Sequence, residues 1–408
     1  MVEKKHIPAI RFKGFTDPWE QRKLGDFTGK VTEKNTGMRV TETFTNSAEF
    51  GVISQLDFYD HAVSKDESIS GYTIVCPEDF VYNPRISVTA PVGPINRNRL
   101  NRAGVMSPLY TVFRTDESID RVYLEHFFKT LGWHSYMQLN GNSGARSDRF
   151  SIGDDTFFAM PIPAPGLEEQ RQLAGFLESL DTLITLHQRK YEKLVTIKKS
   201  MLEKMFPREG SHFPEIRFAG FTDPWEQRKL SEVFTNYTDP VNIPHDGYER
   251  LGIRSHAKGT FHSYVPAGHE LQTAQMHRVA ANKFIVNITF GWEHAVAVTD
   301  ENDAGKLVSH RFPQFSLSEE LDPRFLKYII LDESFRHHLW LASPGGAGRN
   351  RVLNINEMLQ YEIRIPSVPE QQQIATTLIN LDNLITLHQR KLEKLKAIKK
   401  SMLEKMFV

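Results

Sequence analysis

One cysteine, Cys76, stands alone in 408 residues, so no disulfide can form within the chain and no multi-cysteine zinc site can be built. No run of about 18 apolar residues occurs, which argues against a membrane span. The first ten residues carry Lys4, Lys5 and His6 but no apolar stretch or small-residue cleavage site behind them. No secretory signal is read there, and a cytoplasmic location is the default expectation. Net charge is equally uninformative: 50 basic side chains balance 50 acidic ones, so a nucleic-acid partner must be sought in the distribution of charge. Several catalytic signatures are absent too. The chain has no Walker phosphate loop and no His-Glu-x-x-His. Its Asn83-Pro84-Arg85 is not the Asn/Asp-Pro-Pro-aromatic motif of a base methyltransferase, and His337 and His338 are adjacent rather than one helical turn apart. No metal site is expected, and catalysis is not the expected task.

What the chain does contain is a copy of part of itself. Ile10 to Leu24 reads IRFKGFTDPWEQRKL and Ile216 to Leu230 reads IRFAGFTDPWEQRKL, differing only at Lys13 and Ala219. Leu183 to Phe206 and Leu384 to Phe407 differ at three positions. Repeats must be found first, because missing one misassigns the fold. The order is segment, module, helix, twice over. The expected divisions are 1–24, a module at 25–160, a helix at 161–207, the repeated segment at 208–230, a module at 231–365 and a helix at 366–408. Between the repeated pieces the two modules barely resemble each other in sequence. Only their exits rhyme, Gly144-Ala145-Arg146 against Gly346-Ala347-Gly348-Arg349.

Both helical segments carry apolar residues at 4-3 spacing for about five heptads, which is coiled-coil periodicity. The seam includes Leu177, Leu180, Ile184 and Leu194 in one copy, and Leu378, Leu381, Ile385, Leu392 and Leu395 in the other. His187 and Lys198, with their copies, fall on that seam, where polar residues usually fix register rather than perform chemistry. Further apolar residues beside it, Leu183, Leu186, Ile197, Leu202 and Phe206, widen the face beyond what two helices need. Ser367 and Glu370 offer a capping box, while Pro207 and Gly210 end the first helix. A duplicated unit can pair its helices antiparallel about a pseudo-two-fold axis. At about 1.5 Å per residue each helix would be about 55 Å long, more than one turn of DNA at about 34 Å.

The modules carry the candidate binding residues. Phe80 to Thr115 has no Asp or Glu but holds Arg85, Arg97, Arg99, Arg102 and Arg114 among Asn83, Asn96, Asn98 and Asn101. Arg and Asn can pair bidentately with guanine and adenine edges, and Arg also holds phosphates. An ordinary polar loop has the same composition. Arg146 and Arg149 follow in the same module. The second module has three acid-free windows, which supply Lys283 and Asn287, then His310 and Arg311, then Arg349, Asn350 and Arg351. Gly345, Gly346 and Gly348 suit either a phosphate approach or a plain turn. Trp292 and Trp340 read as core rather than as stacking platforms. Alternating strands near Gly71 to Val75 and Lys283 to Thr289, with a helical stretch at Ile119 to Leu131, make the modules mixed α/β (α+β).

The duplicated Phe-Thr-Asp-Pro-Trp-Glu-Gln-Arg-Lys-Leu segment, the Ile-Pro exits, the Glu-Gln helix starts at Glu169-Gln170 and Glu370-Gln371, and the long Leu-rich helices resemble the specificity subunit of type I restriction-modification systems. Tyr82-Asn83-Pro84-Arg85 and Ser107-Pro108-Leu109-Tyr110 also resemble that family's target recognition domain, whereas the second module keeps only the outline. The resemblance implies a non-catalytic subunit with two target recognition domains. Each would read one half of a gapped, asymmetric site in double-stranded DNA, and an antiparallel coiled coil would set the gap. It further implies two modification (methyltransferase) subunits and ATP-driven restriction subunits as partners, to which S-adenosylmethionine, ATP and magnesium would belong. The wide helical face and the Trp19 and Trp225 segments are the candidate docking surfaces, although Asp-Pro-Trp-Glu also reads as a structural turn. The competing reading is a coiled-coil adaptor that binds proteins. A self-contained DNA enzyme lacks its motifs.

Overall fold

A computed structural model describes residues 7–59, 66–142, 148–270, 275–345 and 351–407. No helix among the described residues is long and apolar enough to cross a membrane. The chain forms two compact units, Met1–Arg189 with Gln389–Val408, and Lys190–His388. Each unit therefore holds one module, the opening part of the helix that follows it, and the closing part of the other helix.

In the first unit a four-stranded antiparallel sheet runs in the order Thr28–Lys30, Thr111–Thr115, Phe80–Tyr82, Ile95–Arg97. Smaller antiparallel pairs, Phe44–Ser47 with Gly51–Ser54 and Thr73–Val75 with Gly104–Met106, complete the module's β structure. Asp120 caps the helix Arg121–Phe128 by accepting from the amides of Val122 and Tyr123, and that helix buries Tyr123, Leu124, Phe127 and Phe128. The repeated segment contributes Glu20–Lys23, paired antiparallel with Pro161–Ala164. Prolines are tolerated there because only one neighbour needs their ladder positions. The chain then enters the helix Leu167–Lys204.

Three contacts tie the frame together. Arg11 grips the buried Glu169 with two hydrogen bonds of 2.6 and 2.8 Å. Gln170 accepts from the amide of Asp120 and donates to the carbonyl of Pro165, both at 2.8 Å. The amide of Ile10 donates to the carbonyl of Lys405 at 2.9 Å. Glu169 thus lies beside Lys405, and further along Asp181 pairs with Lys399. Position rises on one helix as it falls on the other, so the pairing is antiparallel.

The second unit repeats each of these. Its four-stranded sheet has the same order and sense: Phe234–Tyr237, Gln314–Leu317, Phe284–Val286, Val296–Val298. Glu226–Lys229 pairs with Glu362–Ile365 and leads to the helix Val368–Met406. Arg217 grips Glu370 at 2.7 and 2.8 Å, Gln371 accepts from the amide of Asp322 at 2.9 Å, and Ile216 donates to Lys204 at 2.9 Å. Asp382 pairs with Lys198 at 2.5 Å. Two modules with almost no sequence in common therefore share a sheet topology. The second adds a five-stranded sheet, in which Tyr248–Ile253 and Thr260–Val265 form a long hairpin.

Burial follows the expected seam. Leu177, Leu180, Leu378 and Leu392 are buried, Ile184, Leu194, Leu381, Ile385 and Leu395 are half-buried, and Leu183, Leu186, Ile197, Leu384 and Leu387 stay exposed beside them. Lys198 and Lys399 serve as ion-pair partners across the seam, as register-fixing residues would. One expectation needs correcting. Glu370 does not close a capping box with Ser367; its two oxygens accept from Arg217 instead. Within the segments expected to dock partners, the Trp19 and Trp225 rings are 3% and 1% exposed, packed edge-on against Phe407 and Phe206, while Asp17, Glu20, Asp223 and Glu226 are exposed. The tryptophan rings anchor the repeated segment to the helix end inside its own unit.

Candidate nucleic-acid interface

Each module's sheet has a central strand that ends in asparagine. Phe80–Tyr82 runs into Asn83, and Phe284–Val286 runs into Asn287. In both the side-chain oxygen accepts from the amide two residues on, Arg85 and Thr289 respectively, at 3.0 Å. This is an Asx turn, which stops the strand and aims the next residues outward. The two asparagines are buried, and each lines a cleft, of about 310 Å³ in the first module and about 480 Å³ in the second.

A returning segment runs beside each asparagine. Phe150 donates to the carbonyl of Pro84 at 2.7 Å, and Leu353 to that of Ile288 at 2.9 Å. The first of these puts Arg149 opposite Arg85 in an isolated antiparallel bridge. Arg85 is exposed, while Arg149 is half-buried with its Nε sealed from solvent and without a hydrogen-bond partner. In the second module Arg311 accepts from the amide of Ile288 at 3.0 Å, so His310 and Arg311, both exposed, flank the cleft that Ser309 lines. Arg351 lies over the ring of Trp340, 4.8 Å from its centroid. Arg146, Arg349 and Asn350 lie outside the described residues.

The rest of the arginine-rich stretch is placed elsewhere. Arg97 and Asn98 sit at the far end of the strand pair from Asn83, and both are buried. Arg97 pairs with Glu78 and, at 2.8 Å, with Glu125, while Asn98 donates to the carbonyls of Cys76 and Arg102. Arg99 shares Glu125 at 2.7 Å, Arg102 grips Glu42 at 2.7 and 2.8 Å, and Arg114 grips Asp79 at 2.6 and 2.9 Å. Three cations hold the Glu125 carboxyl at about 2, outweighing the desolvation that would raise it. The window is acid-free only along the chain; in space its cations are answered by carboxylates from other elements. Asn101 is exposed. Lys283 also stands apart, at the opposite end of its strand from Asn287 and 4.8 Å from the ring centroid of Tyr237.

Other residues at the clefts went unread in the sequence. Arg250 lines the second cleft and Arg254 lies 5.3 Å from the ring centroid of Phe261. Phe50, Phe58 and Tyr59 form an exposed aromatic cluster, of which the last two line the first cleft. Arg250 and Arg254 stand in an acid-free stretch of their own, Arg250 to His269, outside the three windows taken as candidates. Trp340 corrects the core reading: it is 45% exposed, stacked on His337 at 6.1 Å and 11°.

Each module thus holds a cleft that combines arginine with aromatic side chains. A family model described as the type I restriction modification DNA specificity domain matches residues 222–397. The type I restriction enzyme MjaVIII specificity subunit of Methanocaldococcus jannaschii is 23% identical over 406 residues, covering 95% of this chain and 91% of that one. The putative MjaX specificity subunit of the same organism is 23% identical over 262 residues, 62% of this chain and 60% of its own length. In fold the chain is similar to the crystal structure of a type I restriction-modification S subunit from M. genitalium, with a TM-score of 0.56 at 9% identity, covering 98% of this chain and 99% of that one.

The chain is similar to DNA sequence-recognition proteins of restriction-modification systems. Among these, the similarity is to type I specificity subunits.

Proposed function

We propose that each module reads one half of a gapped, asymmetric site in double-stranded DNA through its cleft, and that the paired helices hold the gap. Asn83, Arg85 and Arg149 are the reading group of the first module. Asn287, His310, Arg311 and Arg351, with Arg250, are that of the second. Arg146, Arg349 and Asn350, which lie outside the described residues, are counted with these groups on their residue type. Asn101, Arg102, Arg99 and Lys283 are left as phosphate holders at most, and Arg97 and Asn98 as structural residues. The observation that carries the proposal is the matched asparagine and returning segment at a cleft in two modules of unlike sequence. A shared scaffold with different walls is what two different half-sites require, since base edges are told apart by the side chains offered to them.

The exposed helix face of each unit, marked by Leu183 and Leu186 in the first and by Leu384 and Leu387 in the second, is the seat of one modification (methyltransferase) subunit, two in all, through which ATP-driven restriction subunits join. S-adenosylmethionine, ATP and magnesium belong to those partners. This chain binds none of them and carries out no chemistry, and it works in the cytoplasm. Methylome sequencing of cells expressing the chain with its partners tests the reading. A gapped motif with unlike halves is expected, and exchange of residues 25–160 for another such module changes one half only. A continuous or absent motif overturns it.

A further inference from the structure

The first unit has a second cavity, far from its cleft, of about 730 Å³. It opens between the closing part of the C-terminal helix, the central helix at Asp181 and Ile184, and the turn Lys129 to Gly132. Its floor is apolar, with Ile184, Leu403 and Phe407, and Leu131 stands 75% exposed at its edge. Lys129, Lys396, Lys399 and Lys400 line it, against only Asp181 and Glu404. Lys129 and Lys399 are answered by Glu125 and Asp181, but Lys396 and Lys400 have no carboxylate partner among the described residues. Behind the wall lies His126, wholly buried, 4.0 Å from Asp181 and with neither ring nitrogen hydrogen-bonded.

The second unit provides an internal control. Backbone bonds align the two turns: Lys129 donates to His126 as Leu331 does to Tyr328, and Thr130 to Phe127 as Asp332 does to Ile329. By the same frame Lys396 corresponds to Val195. Where the first unit offers Lys129, Thr130, Leu131 and Lys396, the second therefore offers Leu331, Asp332, Glu333 and Val195. His126 is replaced by Tyr328, whose hydroxyl donates to Asp382 at 2.9 Å. The repeated frame is near-identical, yet the two cavity rims differ in the sign of their excess charge.

We propose that the two seats for modification subunits are electrostatically unequal: the first unit's cavity takes a partner segment that presents an apolar side chain flanked by Asp or Glu, and the second unit's seat does not discriminate in favour of acid. The inference rests on the docking reading above and adds the chemistry of the contact. Charge complementarity decides the occupant, because an uncharged or basic segment would leave Lys396 and Lys400 facing a desolvated or like-charged surface. Exposed charges act within about 10 Å at 0.1 M salt and about 3 Å at 1 M, so the first seat is the salt-sensitive one.

The test uses the full chain with its modification subunit, followed by native mass spectrometry and titration at 0.1 and 1 M salt. Wild type is expected to bind two copies in two steps, one of which weakens at least tenfold more than the other as salt rises. Lys396→Glu with Lys400→Glu, both on an exposed helix face, is expected to weaken that step at least tenfold at 0.1 M and leave the other unchanged. Val195→Lys should add salt dependence to the second step. Two bound copies with both steps unmoved by the double variant, or moved equally, overturns this inference and leaves docking standing. No bound copy in wild type overturns both. Self-association of the chain that the double variant abolishes assigns the cavity to a second copy and also overturns the inference.

Discussion

Arg11 and Arg217 hold Glu169 and Glu370 with nearly superimposable pairs of hydrogen bonds, whereas Asn83 and Asn287, equally matched in backbone, look into clefts walled by different side chains. Frame and contents answer to different constraints. The frame must be the same twice, because each helix end is packed by the same Trp, Arg and Gln contacts, and a change in one has no compensating change nearby. The contents need only preserve a sheet that ends in an outward turn, so their surfaces are free to differ.

The sharpest way to break this comparison is through the tryptophans. Trp19→Ala and Trp225→Ala should each destabilise their own unit by about 3–5 kcal/mol, the usual cost of emptying a large buried site. Hydrogen exchange resolved by unit reads the effect, and equal losses are expected. A large difference would mean the frames are alike in geometry only. Glu169→Gln and Glu370→Gln should follow at about 2–3 kcal/mol each, below the full cost of a wholly buried pair because the arginine side remains near solvent. Denaturant midpoints check that pair.

His126 separates the units next. Burial, with Lys129 and Lys399 nearby, pushes the imidazole down to about 3 against the opposing pull of Glu125 and Asp181. Below an ordinary pKa near 6.5 the unfolded chain takes up this proton first, so the first unit loses stability as pH falls from 6.5 towards 3. Between pH 6.5 and 5 the loss is about 2 kcal/mol. His126→Phe should flatten that part of the profile, while the second unit keeps its own dependence from His294, which burial also lowers. An unchanged slope in the variant would remove His126 from the account. The smallest effect concerns the contents: Arg85→Ala and Arg250→Ala should each cost about 1–2 kcal/mol of DNA binding, the lower part of what a bidentate base contact provides. Competition titrations with half-site variants should show each loss at one half only.

The frame was legible in the sequence because its signals are periodic and local: a repeat, a heptad and proline exits. The site was legible in part. Asn83 and Asn287 stood out by residue type, and their placement agrees with a shared role. Arg97 is different: the carboxylates that neutralise it, Glu78 and Glu125, lie outside the acid-free stretch, and one of them arrives on a helix nearly thirty residues on. Arg250 carried no such signal: it opens an acid-free stretch, Arg250 to His269, whose composition is that of an ordinary hairpin, and only the folded hairpin brings it to the cleft. Trp340 read as core because large aromatics usually are, whereas its ring is partly exposed and stacked with His337 and Arg351.

One consequence follows from the way the units are divided, with each module roofed by the tail of the other module's helix. A shortened gene that stopped after Phe206 would encode a module without its roof, leaving the ring of Trp19 uncovered where Phe407 now lies. It would also encode a spare roof, because residues 183–206 match 384–407 at all but three positions. Two such products could complete only each other, and the pair would carry two copies of one reader. Its target would then be a palindrome, so that a single stop codon would exchange an unsymmetrical address for a symmetrical one.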